Sequence, residues 1–123
     1  MKKMIMVLAI LLALGSTGWA GQFGIVLVYA TDVTLEWDLS TAPDIASYNI
    51  YRSQVSGVYE ASQLIDTVAH PTATYVDTDV PDGTWYWMGT PVDTAGNEGP
   101  WSDEVTKTLD STPPPKLQNF RIQ

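Results

Sequence analysis

Apolar residues recur at every second position in this chain, in short runs separated by turn-forming residues, and that pattern leaves few folds open. In "DVTLEWD" (32–38) Val33, Leu35 and Trp37 alternate with polar neighbours. In "SYNIYRS" (47–53) Tyr48 and Ile50 share one face, and Asn49 and Tyr51 the other. Successive side chains of an extended chain point to opposite faces, so this is the signature of a half-buried strand. Further runs are "SQLIDTVA" (62–69), "ATYVDTDV" (73–80), "WYWMGTPVD" (85–93) and "SDEVTKTL" (102–109). Between them lie "LSTAPDIA", "QVSG", "PDGT" and "TAGNEGP", rich in the Pro, Asp, Asn and Gly that turns demand. Short strands punctuated in this way predict an all-β antiparallel sandwich. No segment after residue 20 has a convincing helical period.

The first twenty residues, "MKKMIMVLAILLALGSTGWA", follow another logic: two lysines, an apolar run from Met4 to Leu14, then small residues. That is the layout of a secretory signal peptide. The run is too short for a bilayer span of roughly 20 apolar residues, so no membrane insertion is expected once the leader is removed. Cleavage is expected after Ala20, with Ala30 as the alternative site. The implied boundaries are a leader over 1–20, a domain over 21–110 and a proline-rich linker with a strand-like tail over 111–123. The implied location is extracellular or periplasmic.

Charge narrows the partners. The formal net charge is −8, and loss of Lys2 and Lys3 with the leader takes it to −10. Nucleic acid and anionic membranes are disfavoured, because both are held by clustered Lys and Arg. The chain has no cysteine. Export usually permits disulfides, but this domain must be held by its apolar core alone, and thiolate metal sites and cysteine nucleophiles are ruled out.

With the strands in order, "VTLEWDLSTAPDIASYNIYRS" and "YVDTDVPDGTWYWMGTPVDTAGNEGPWSDEV" resemble the fibronectin type III domain in its bacterial form. The resemblance runs from about Val33 to Leu109. It rests on the Trp37 strand, the Tyr-x-Ile-Tyr-Arg segment, the Tyr-x-Asp-Thr segment and Asp-x-x-Gly-Asn-Glu before the last strand. It implies about seven strands in two sheets, with Trp37 in the core.

Two places depart from the family pattern. The inward positions of the strand after "DGT" read Trp85, Trp87, Gly89 and Pro91, and Pro91 predicts a bulge or an early end to pairing, since proline has no N–H for a ladder. At the other end, "GQFGIVLVYA" (21–30) lacks the family's proline-containing opening and reads as leader-adjacent or as a degenerate first strand.

Chemistry is sparse. The one histidine, His70, lies in the loop-like "AHPTA", with nothing to complete a nucleophilic triad. Fourteen acids contain carboxylate pairs in principle, but a small sandwich offers no deep cleft for glycoside hydrolysis. The expectation is a non-catalytic protein without a cofactor. Calcium is the one metal considered, through Asp93 with Asn97 or Asp77 with Asp79 and Asp82, although turns use the same residues. If Trp85 and Trp87 face inward, Tyr86 and Met88 face outward beside Tyr51. That trio is a candidate face for a protein partner or a carbohydrate, or simply a set of cross-strand pairs stabilising the sheet.

The tail "PPPKLQNFRIQ" has the form of another module's opening: a stiff proline spacer, then Leu117, with Phe120 and Ile122 on one strand face. Three fates are consistent with it. It is a frayed end, the remnant of a second module, or a first strand donated to the next subunit. In the fold the resemblance implies, the last strand leaves at the pole opposite to that at which the first one enters. A donated tail would therefore enter a neighbour in the normal direction, building a head-to-tail filament that does not close. A mature N-terminus near Thr31 would leave each subunit without its own first strand.

Overall fold

The computed structural model describes residues 2–7 and 26–123, with side chains from Ala30 onward. Seven strands occur among them: β1 (Lys2–Val7), β2 (Val26–Glu36), β3 (Ile45–Ser53), β4 (Leu64–Ala69), β5 (Thr74–Pro81), β6 (Gly83–Asp93) and β7 (Val105–Leu109). They form two sheets, ordered β1-β2-β5 and β4-β3-β6-β7, with every neighbouring pair antiparallel. The protein is an all-β sandwich. A single 3-10 turn, Ala61–Gln63, replaces the start of the strand expected over 62–69. Among the described residues, no helix is long and apolar enough to cross a membrane.

The alternation seen in the sequence builds the interior. Val33, Val80, Trp87 and Leu109 form the core, with Leu35, Ile65 and Trp85 packed against it. Trp87 and Val80 are the largest side chains shut off from solvent. Burying such side chains contributes about 1.5–3 kcal/mol each.

A bulge in β5 refines this arrangement. Pairing passes from Thr31↔Val80 to Val33↔Asp77, so β5 carries one more residue than β2 between these pairs. Asp79 takes a left-handed φ of 57° there, and its N–H donates to an Asp32 carboxylate oxygen at 3.1 Å. Aspartate tolerates that conformation better than most residues. Asp77 and Val80, three residues apart, are consequently both buried.

Three expectations need correction. Of the segment 21–30, read as leader-adjacent or as a degenerate first strand, Val26–Ala30 is the beginning of β2 itself rather than a separate strand, and residues 21–25 lie outside the described residues. Its partner is Lys2–Val7, from within the expected leader; the rest of that leader lies outside the described residues. The resemblance put Trp37 in the core, but it sits just past the end of β2 and is only half-buried.

Pro91, the third correction, neither ends β6 nor bulges it. It pairs with Tyr48, and the register shift comes further along, between Ile45 and Ser47. The physical reason lies in direction. Pro91 O accepts the Gly99 N–H at 2.8 Å, so the carbonyl and nitrogen of Pro91 face away from β3. The β7 ladder on that side has already ended at Trp87↔Val105, and no ladder bond is lost.

Candidate functional site

The outer face of the β4-β3-β6-β7 sheet was expected to expose Tyr51, Tyr86 and Met88. The structure overturns this for Tyr51, which is 5% exposed, while Tyr86 and Met88 are half-buried. The cause is the long connection between β6 and β7, which folds back over the face. Trp101 meets the Tyr51 ring nearly edge-on at 4.7 Å between centroids, and Tyr59 lies 5.6 Å from Trp101. Met88 shares a small hollow with Gly57, Tyr59 and Trp101.

Two carboxylates fasten this cover. Glu98 accepts hydrogen bonds from the Tyr51 hydroxyl at 2.6 Å, from Asn49 Nδ2 at 3.2 Å and from the Thr90 hydroxyl. Those bonds, Thr90's above all, hold its carboxyl below the ordinary value. Glu104 accepts from the Ser56 hydroxyl, the Gly57 N–H and the Tyr59 hydroxyl at 2.6–2.8 Å. Burial, reinforced by the neighbouring carboxylates, pushes both the Tyr51 and the Tyr59 phenols upward.

The remaining candidates are placed apart and locally engaged. Asp93 caps its own turn, accepting the N–H groups of Ala95 and Asn97 and the Asn97 side-chain amide at 2.8–2.9 Å. Asp82 holds Ser111. Asp77 points into the sandwich, toward Arg52 and Trp87. No group of three acids and histidine suited to a metal ion occurs among the described residues. His70 Nδ1 lies 3.1 Å from the Tyr48 hydroxyl, which itself accepts the Ser40 N–H at 3.0 Å and so has its hydrogen free for the imidazole.

What sequence reasoning missed is a cleft of about 540 Å³ between the two sheets. It opens where β7 stops short and the chain swings away after β6. Leu35 and Trp37 line one side, Pro91, Trp101 and Val105 the other, and Ile50 and Trp87 the floor. Gly89, also on the floor, contributes no side chain. The Trp37 indole N–H is sealed from solvent without a hydrogen-bond partner, an arrangement that costs about 1–3 kcal/mol. Glu36, Asp38 and Asp103 also line the cleft and make it acidic.

One wall is an incomplete sheet. Among the described residues β1 reaches only Val26–Thr31, so Val33–Glu36 is paired on its β5 side alone. The opposite wall is closed, because Ser102 N–H donates to Gly89 O and Gly99 N–H to Pro91 O, both at 2.8 Å. Gly89 was the one trace of the cleft in the sequence, and only the paired sheets bring it opposite Leu35 and Trp37. Comparison with protein-family models, curated proteins and solved structures yields no match.

Proposed function

We propose that this chain is an exported, non-catalytic interaction module of fibronectin type III-like fold, and that it engages its partner at the cleft beside β2. The two-sheet arrangement is of the kind that the resemblance implies. The observation that carries the reading is the cleft itself. It is lined mainly by apolar side chains with an acidic border, is about 540 Å³ in volume, and runs beside Val33–Glu36, which among the described residues is paired on its β5 side alone. The non-catalytic part is supported by the local engagement of Asp77, Asp82, Asp93, Glu98 and His70 in hydrogen bonds that shape the fold. A carbohydrate platform built on Tyr51 loses its basis, because that ring is covered.

A photo-crosslinking residue placed at Val105, in the cleft, and at Val76, exposed on the other sheet, tests the proposal in the producing cell. Protein adducts are expected at position 105 and not at 76. Equal yields at the two positions, or none at either, would overturn it.

A further inference from the structure

Resting on that reading, we propose that the occupant of the cleft is the segment Lys116–Gln123 of a second copy of this chain, added as a strand along Val33–Glu36 of β2.

The apolar side chains of this segment are uncovered. Leu117, Phe120 and Ile122 are 76%, 88% and 99% exposed, and nothing past Leu109 lies in a strand. An apolar cavity of roughly 150 Å³ accommodates a benzene-sized group, so about 540 Å³ has room for Phe120 and Ile122 together. Asn119 has a left-handed φ of 52°, and docking would straighten it into the extended form, bringing Phe120 and Ile122 onto the face that turns inward.

Charge matches the two surfaces. All fourteen acids lie between Asp32 and Asp110, against only Arg52 and Lys107 in the same span, so the body carries −12. Residues 111–123 carry Lys116 and Arg121 and no acid, hence +2. The cleft that would receive them bears Glu36, Asp38 and Asp103.

Direction selects a neighbour over self. Ser111 is tied to Asp82 in the β5–β6 turn, and β2 starts its run along β5 at that same pole, where Ala30 pairs with Pro81. A tail returning onto its own domain would run parallel to β2. A tail from another copy can enter at the far pole and run antiparallel, like every other pair in the molecule. Pro113–Pro115 extends by about 3.1 Å per residue, carrying the strand clear of its own surface. Because the donating and accepting surfaces differ, the contact is heterologous and propagates.

The test uses the purified full chain, its variant with Phe120→Asp and Ile122→Asp, and a synthetic peptide of residues 111–123. The native chain is expected to gain mass with concentration and to form linear assemblies in electron micrographs. The variant, altered only at exposed positions, is expected to remain monomeric with unchanged circular dichroism. The peptide should bind the variant one to one, more weakly at high salt, and a peptide carrying both aspartates should not bind. Equal masses for the two proteins, failure of the peptide to bind, or a monomer whose tail resists protease would each overturn donation. Adducts from position 105 to a different protein, without self-adducts, would overturn donation while leaving the broader reading in place. Absence of any adduct removes both.

Discussion

Arg52 and Asp77 meet across the space between the sheets, with one guanidinium nitrogen 2.9 and 3.0 Å from the two carboxylate oxygens. Trp87 donates its indole N–H to the same carboxylate at 2.8 Å, and the guanidinium lies over the Trp85 ring at 4.7 Å. One buried acid thus orients both tryptophans of β6. Asp77→Ala leaves an unpaired cation and an orphaned indole. Breaking a buried pair costs about 3–5 kcal/mol, and the Arg52 side chain, 23% exposed, favours the low end. Arg52→Met combined with Asp77→Asn keeps an oxygen for Trp87 and is expected to cost less than the sum of the two single changes. A double-mutant cycle in urea measures the coupling.

Glu98 makes the cover over Tyr51 sensitive to acid. Its folded carboxyl lies below the ordinary 4.5, owing to Thr90 and then Tyr51. A depressed value means that the contribution is complete above about 4.5 and is lost as pH falls through the lower folded value. Glu98→Gln should therefore lower Tm at pH 7, only slightly because the carboxylate is exposed and solvent screens it, and should flatten the decline at low pH. Tyr51 and Tyr59 act in the opposite sense. Their phenols are raised above 10.0, so that contribution is complete below 10 and lost as pH climbs beyond it. Thermal scans from acid to alkali follow both limbs.

Two glycines on the same stretch should respond oppositely to alanine. At Gly99 a Cβ would stand 2.9 Å from the Pro91 ring, and Gly99→Ala is expected to cost about 1–3 kcal/mol. At Gly89 the nearest atoms lie at ordinary contact, 3.5 and 3.7 Å. Gly89→Ala should stabilise by about 0.5–1 kcal/mol while narrowing the cleft. Equal unfolding midpoints for the two variants would refute this account of the β6 edge.

Asp82 and Ser111 govern how the chain leaves the sandwich. The Ser111 hydroxyl donates to Asp82 at 2.7 Å, and its N–H reaches both carboxylate oxygens at 3.1–3.2 Å. Asp82→Ala should raise amide exchange and proteolysis at Ser111 and beyond, and leave protection at Trp87 unchanged, because local opening does not require the core to open. Comparable acceleration at both residues would show that the anchor supports the whole fold.

The strands were legible because their pattern is local. Val33 and Leu35 announced an inner face, and Tyr48 with Ile50 another. What stayed hidden depends on chain returning from a distance. Tyr51 read as exposed because alternation assigns a face and says nothing about what later covers it; here Trp101 and Glu98, about fifty positions on, do so. Asp77 read as a turn-type acid because the bulge at Asp79 that brings it inside leaves only a weak trace in "DTDV". Pro91 looked disruptive because periodicity does not reveal on which side of a strand the ladder has ended.

Trp101 stands at the mouth of the cleft with 45% of its surface in solvent, against the ring of Tyr51, whereas Trp87 is sealed inside. Their indoles therefore report from unlike surroundings. Any molecule that fills the cleft must dehydrate the outer ring, whereas Trp87, on the floor and already only 2% exposed, has little water to lose. The protein thus carries an optical gauge of its own occupancy, readable as a blue shift and gain in intrinsic fluorescence without any label.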